Sequence, residues 1–215
     1  MTRTVYTPAN AAHSELAHIA ARRALYPLIF GVSGECLEYE AVANQETERQ
    51  HILDGEMGID RIVKVPVPGL SALLAFTIQE RFRRRYKRDD AGQIIRDYMT
   101  FGDITITEWN HASNLPSELY KMTGGFFLYA YYEESDEVFW RPILVNVPGV
   151  LLALVARDIP CSKLRENPKR QTFLPITYDL LKELGVVAFY RERVSASYYT
   201  TRDVVTKLVT TPRGM

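Results

Sequence analysis

The sequence predicts an α/β domain of three layers: a central mixed β-sheet of about five strands with helices on both faces. Three observations point there. A helix-period pattern occupies the N-terminal part, β-branched runs bounded by proline and glycine follow it, and a short helical pattern with a glycine stop precedes a last apolar run. At 47% hydrophobic and 24% charged, the 215 residues carry enough apolar material for a substantial core. No repeat, low-complexity run or linker-like shift divides them, so residues 1–215 read as a single domain.

Taken in order, Ala11–Tyr26 reads as an amphipathic helix, with Leu16, Ile19, Ala20 and Arg23 set against His13, Glu15 and Arg22, and Pro27 marking its end. Gly31–Asp54 is acidic and less periodic (Glu35, Glu38, Glu40, Glu46, Glu48) and reads as a mixed helix or hairpin. Ile59–Val65 is a β-branched strand stopped by Pro66 and Pro68-Gly69. Leu73–Phe82 begins apolar on both faces (Leu73, Leu74, Ala75, Phe76), as a central strand covered on both sides does, and turns polar at its far end. Asp103–Trp109 alternates Ile with Thr as a third strand.

Pro116 and Ser117 open a helix through Glu118, Tyr120, Lys121 and Met122, with Gly124-Gly125 as its interruption. The aromatic density of Phe126–Tyr132 favours a strand over a continued helix. Val138–Asn146 is strand-like, and Pro142 pushes it toward an edge or a bulge. Tyr178–Leu184 is a short helix closed by Gly185, and Val186–Tyr190 is the last strand. The tail from Ser195 shows no clear period.

Several function classes are disfavoured. Lys plus Arg (26) balance Asp plus Glu (26), so any polyanion surface must come from local clustering. Cys36 and Cys161 match neither zinc spacing nor a disulfide scaffold. Met1–Tyr6 lacks the apolar core of a secretory signal. The longest apolar run, Val145–Val155, holds Asn146, Pro148 and Gly149 and falls short of the ~18 residues of a membrane span. A cytoplasmic protein without membrane contact is the expectation. There is no glycine-rich phosphate loop and no nucleophile elbow, and His13, His18, His51 and His111 form no close metal pair. His111, near a strand end, reads more readily as structural than catalytic.

The chemistry concentrates on two strands. Asp60 follows Gly58-Ile59 on the first, and Gln79, Glu80 and Arg81 form the polar end of the second. Side chains alternate along a strand, so Gln79 and Arg81 share one face and Glu80 takes the other. Antiparallel pairing through the Pro66–Ser71 turn brings Asp60 beside Gln79 and Arg81. The residues from Leu53-Asp54 through Gly58-Ile59-Asp60, the Ile78–Arg83 strand end and the Ser117–Lys121 helix follow in an order that resembles the PD-(D/E)XK nuclease superfamily. The resemblance spans Asp54 to Lys121, about a third of the chain. It implies a restriction-endonuclease-like fold, an endonuclease hydrolysing DNA phosphodiester bonds, a Mg²⁺ or Mn²⁺ cofactor, and allows a homodimer.

By that resemblance Asp60 takes the place of the metal-binding aspartate, Gln79 of the second acid and Arg81 of the lysine, with Glu118 and Lys121 on the helix beside the site. A carboxylate-held Mg²⁺ offsets charge on the phosphate and lowers the pKa of a bound water, and a fixed cation steadies the transition state. The chain departs from the pattern twice: Gln79 is neutral, and Arg81 does not give up a proton. A further acid must complete the metal site. The candidates are Glu80, if a bulge re-aims it, or Glu35, Glu38 or Asp54. The blander readings are a strand-edge ion pair of Asp60 with Arg81, an exposed Glu118–Lys121 pair and a simple Asp54-Gly55 turn.

The run Arg81, Arg83, Arg84, Arg85, Lys87 and Arg88, interleaved with Phe82 and Tyr86, is a second signal. Such a cluster neutralises backbone phosphates while its aromatics stack on unpaired bases, or it is a solvated hairpin tip reaching Asp89-Asp90. Two rival functions follow: a nucleic-acid-binding module of the same fold that has lost catalysis, which Gln79 favours, and an interaction protein that presents Phe126–Tyr132 to a partner.

Overall fold

The computed structural model describes residues 8–41, 53–54, 57–67, 69, 71–89, 91–111, 114–161, 164–167 and 171–196. In chain order the strands are β1 (Glu38–Ala41), β2 (Arg61–Pro66), β3 (Leu73–Arg84), β4 (Tyr86–Arg88), β5 (Ile94–Asp97), β6 (Asp103–Asn110) and β7 (Leu115–Pro116). Then follow β8 (Phe126–Glu133), β9 (Val138–Asn146), β10 (Arg165–Asn167), β11 (Gln171–Thr177), β12 (Val187–Tyr190) and β13 (Arg193–Ser195). Among the described residues the α-helices are α1 (Pro8–Phe30), α2 (Val147–Val155) and α3 (Tyr178–Glu183).

The protein is α/β with a mixed central sheet and few helices. Among the described residues that sheet has seven strands, ordered β1-β2-β3-β8-β9-β12, with β13 also on β9. Every pairing in it is antiparallel except β3 with β8, which run parallel from Ile78↔Phe126 to Arg84↔Tyr132. A parallel pair needs a crossover over one face of the sheet. Here the crossover contains the β4–β5 hairpin and β6, and β6 joins β10, β11 and β7 in a second, four-stranded sheet.

Helices lie on both faces of the central mixed sheet as expected, but that sheet has more than about five strands, and a second sheet covers one of its faces. One face carries α1, and the other carries the second sheet with the short helices α2 and α3. Gln171–Thr177, which pairs with β6 from Gln171↔Asn110 to Thr177↔Asp103, has no strand expectation in the sequence.

Helix α1 also turns a different face inward. Ala17, Ala20, Ala21 and Ala24 are buried with Leu25 and Tyr26, while Leu16 and Ile19 are nearly half exposed. Small side chains let the helix approach Val63, Ile78, Leu128 and Phe139 closely. Nor does Pro27 end the helix: α1 runs on to Phe30, losing only the hydrogen bond that an amide at residue 27 would donate to residue 23.

In β3 the expected burial is reversed. Leu73 and Leu74 are 46% and 54% exposed, whereas Ile78, Gln79 and Glu80 are buried. The reason is pairing: β2 runs along Leu73–Ile78, but β8 joins only at Ile78, so the apolar start of the strand lacks a neighbour on that side. The polar end is the covered one.

The segment after Ser117 is no helix but a four-residue 3-10 turn, Glu118–Lys121. Ser117 makes no side-chain cap, and its amide donates to Glu108 O instead (2.9 Å). Phe126–Tyr132 lies within β8, with Phe127 to Tyr132 all buried. A buried strand offers a partner nothing, and the interaction-surface reading loses its basis. Pro142 sits inside β9, between β8 and the β12 and β13 strands, beside a register shift between Tyr129 and Tyr131 and with Arg141 at φ +48°. It marks a bulge and not an edge. Strand expectations at 59–65, 103–109, 138–146 and 186–190 agree with β2, β6, β9 and β12 to within two residues.

Of the acidic stretch 31–54, Glu38–Ala41 forms β1, and Glu46 and Glu48 lie outside the described residues. Asn146 Oδ1 accepts from Gly149 N (3.1 Å) and so caps α2, which turns the apparent interruption of the apolar run into a helix start. No helix among the described residues is long and apolar enough to cross a membrane.

Candidate functional site

The site begins where the chain enters β2. Gly58 has φ +61°, and a Cβ there would stand 2.8 Å from Lys121 O. Only glycine lets this turn press against the 118–121 segment. Asp60 then extends the β2–β3 ladder by one step beyond Arg61↔Ile78, opposite Gln79: its amide donates to Ile78 O (3.1 Å), and its Oδ2 accepts from Glu80 N (2.6 Å).

Across β3 the alternation sorts the candidates onto two faces. On the face away from α1, Glu118 gathers Gln79 and Arg81. Its Oε1 accepts from Gln79 Nε2 (3.3 Å) and lies 2.8 Å from Arg81 Nη2, while its Oε2 accepts from Thr107 N (3.0 Å). Arg81 Nη1 donates to Thr107 Oγ1 (3.3 Å). Glu118 therefore pairs with Arg81 and not with Lys121, and it is buried. Gln79 is buried as well, and its carbonyl Oε1 has no hydrogen-bond partner among the described residues. A buried acceptor left unmet is costly.

Glu80 points through the sheet to α1. Neither β2–β3 nor β3–β8 carries a bulge that would re-aim it. Its Oε2 accepts from Arg61 Nε (2.9 Å) and lies 2.7 Å from His18 Nδ1, and its Oε1 accepts from the Tyr26 hydroxyl. Burial opposes the charge of Glu80, but His18, Arg61 and Tyr26 together outweigh it and hold the carboxyl below its ordinary value. The Tyr26 hydroxyl, buried beside this carboxylate, is pushed well up and stays a donor. Glu80 is thus the centre of a closed polar cluster on the helix face. Sequence reasoning missed His18, Tyr26 and Arg61; the signal present was the eight-residue spacing of His18 and Tyr26, which sets both on one helix face.

Asp60 differs from both. Burial raises its carboxyl most, the Glu80 amide lowers it, and the nearby carboxylates Glu80, Asp54 and Glu118 raise it further, to about 8. Of the acids expected to complete the site, Asp54 is therefore close enough to act on Asp60. Glu35 lies in an exposed 3-10 turn, and Glu38 reaches Lys64 across the β1–β2 pair (3.5 Å). Among the described residues no group of three or more His, Cys, Asp or Glu side chains is placed to hold a metal ion.

The basic run disperses. Arg84 approaches Glu134 (3.5 Å), and Arg85 pairs with Asp97 (3.1 Å) while its guanidinium stacks on Tyr86 and Trp140 at 4.5 and 4.3 Å. Lys87 and Arg88 are exposed on the β4–β5 hairpin, with Arg88 donating to Gly92 O. Arg83 shares the face of Gln79 and Arg81. His111 is engaged by Thr172 Oγ1 (2.9 Å) on the second sheet.

Fold and cluster together define an α/β protein whose mixed sheet sets an aspartate and a glutamine side by side at a strand end, next to a buried glutamate paired with a partly exposed arginine. No protein-family model, no curated protein and no solved structure matches the chain.

Proposed function

We propose that the chain is a divalent-metal-dependent endonuclease of the restriction-endonuclease-like kind, hydrolysing DNA phosphodiester bonds at the Asp60–Gln79–Arg81–Glu118 cluster. The observation that carries this reading is the Gln79 carbonyl: a buried oxygen without a donor among the described residues, on the residue opposite Asp60 where the β2–β3 ladder is extended by one step. A carboxylate beside an unmet carbonyl is a pair of hard oxygen donors, the type that Mg²⁺ and Mn²⁺ take. Asp60 and Gln79 would hold the ion, with Asp54 or Glu118 nearby. When bound, such an ion offsets phosphate charge and acidifies a water.

The chain's own groups do the rest. Arg81, held from two sides by Glu118 and Thr107, presents a fixed positive charge to the phosphate and cannot serve as a base. Glu118 orients Arg81 and takes up the Gln79 amide, which leaves the Gln79 carbonyl free for the ion. The Glu80 amide fixes one oxygen of Asp60. Lys121 follows Glu118 in the same turn as a phosphate-contacting cation. Two exposed, free cysteines suit a reducing, cytoplasmic setting.

A second reading, a nucleic-acid-binding module without catalysis, is favoured by one observation: the Glu80 carboxylate turns away to Arg61 and His18, which removes one candidate ligand from beside Asp60. Incubation of supercoiled plasmid with Mg²⁺ or Mn²⁺ separates the two. Nicking that disappears in Asp60→Asn and Gln79→Leu supports the hydrolase; salt-sensitive retention of DNA without nicking in either metal supports the module. Calorimetric Mn²⁺ titration of the wild type and Asp60→Asn reports the ion independently of cleavage.

A further inference from the structure

We propose that Arg83 and Thr105 form a second phosphate-binding position, which receives the phosphate next to the one held at Arg81 on the same nucleic-acid strand. The proposal rests on the hydrolase reading for the place of the first phosphate, but its geometry is separate.

Arg81 and Arg83 are two residues apart on one face of β3, so their Cα atoms are separated by ~7 Å along the strand. That step is close to the distance between successive phosphates on an extended nucleic-acid chain. Opposite them runs β6, where Asp103, Thr105 and Thr107 alternate onto one face. Thr107 hydrogen-bonds Arg81, and Asp103 lies within electrostatic reach of Arg83. Thr105, between them in sequence and on the same face, falls beside the Arg81–Arg83 step.

Hydrogen-bonding capacity then singles out this position. Arg83 Nε and Thr105 Oγ1 are both buried, and among the described residues both lack a hydrogen-bond partner. Of the other arginines of the run, three are paired with carboxylates, Arg81 with Glu118, Arg84 with Glu134 and Arg85 with Asp97, and the exposed Arg88 donates to Gly92 O. Arg83 makes no ion pair within 4.0 Å among the described residues, and its guanidinium lies over the Tyr129 ring at 6.0 Å. An N–H and a hydroxyl without partners, on facing positions of β3 and β6, match two oxygens of a phosphodiester. Asp103, close by, sets a limit on the charge this position accepts: one phosphodiester anion, and not a dense polyanion. The exposed hairpin cations Lys87 and Arg88 are peripheral to this path.

The test is the binding of a fluorescein-labelled single-stranded oligodeoxynucleotide, followed by anisotropy in EDTA over a series of NaCl concentrations. Arg83→Gln should weaken binding several-fold at low salt and lower the slope of log K against log salt by about 0.7, one phosphate contact on a single strand. Thr105→Val, nearly isosteric, should weaken binding several-fold with the slope unchanged, and Arg83→Lys should keep the slope. Arg88→Gln should leave the slope as in the wild type. An unaltered slope in Arg83→Gln, a loss that follows Arg88 instead, or no binding by the wild type overturns the proposal. Asp60→Asn keeps the two readings apart. If plasmid nicking is never seen but the Arg83 slope change holds, the phosphate position stands and the hydrolase falls; nicking with no Arg83 effect has the opposite meaning.

Discussion

Glu80 and Asp60 are joined through the backbone of one and the side chain of the other: the Glu80 amide donates to Asp60 Oδ2 at 2.6 Å, while the Glu80 carboxylate points to the opposite face of the sheet. One residue thus ties the α1 cluster to the candidate site, although its side chain stays out of it.

Replacement of Glu80 tests this division. Glu80→Gln leaves Arg61 and His18 without their buried anion and should cost about 3 kcal/mol in urea unfolding at neutral pH. Its folded carboxyl is held below the ordinary 4.5, so its stabilisation is present above that value and lost as pH falls through the folded value. The difference between wild type and variant should therefore shrink in acid. Mn²⁺ affinity should change little in the folded variant; loss of affinity with intact stability would make Glu80 a ligand after all.

Asp60 has the reverse pH dependence. Its carboxyl is raised from 3.8 to about 8 in the folded chain, so its contribution is fully present below 3.8 and is lost as pH rises toward 8. Asp60→Asn should be more stable than the wild type by about 2 kcal/mol near pH 8, with the gain vanishing near pH 4. Saturating Mg²⁺ should raise the thermal midpoint of the wild type and leave the variant unmoved. A wild type that is the more stable of the two at pH 8 without metal would contradict the charge crowding around Asp60.

Gly58 should tolerate no side chain. Gly58→Ala combines a positive φ with a Cβ 2.8 Å from Lys121 O, and a loss of about 2 kcal/mol is expected. Hydrogen exchange of the Glu80 amide should quicken in the same variant, since the Asp60 acceptor moves with the turn. An unchanged midpoint would show that the turn does not bear on the 118–121 segment.

The Arg81–Glu118 pair should behave as one unit. A double-mutant cycle with Arg81→Gln and Glu118→Gln should give a coupling energy of about 1–3 kcal/mol by denaturant unfolding. Additive effects would mean that Glu118 is held by Gln79 and Thr107 alone.

Strand positions such as Arg61–Pro66, Asp103–Asn110 and Val138–Asn146 were legible from β-branched periodicity and its proline and glycine stops. So was the sorting of Gln79 and Arg81 from Glu80, because alternation along a strand is local geometry. The buried face of α1 is not legible in the sequence, since Ala17, Ala20, Ala21 and Ala24 are weakly apolar and only a sheet close against them makes them core. The helix that Pro116-Ser117 suggests gives way to a 3-10 turn at Glu118–Lys121, because the Ser117 amide bonds to Glu108 of the neighbouring strand β6.

By itself, then, the sequence determined the α/β class, the places of most main-sheet strands and which side chains of β3 share a face, all set by neighbours within a few residues. Tertiary structure alone decided that Glu118 belongs to Arg81, that Glu80 belongs to His18, Arg61 and Tyr26, and that a second sheet covers the far face. Those pairings join residues up to 62 positions apart, as from His18 to Glu80, and no local period encodes a partner that only folding brings into range.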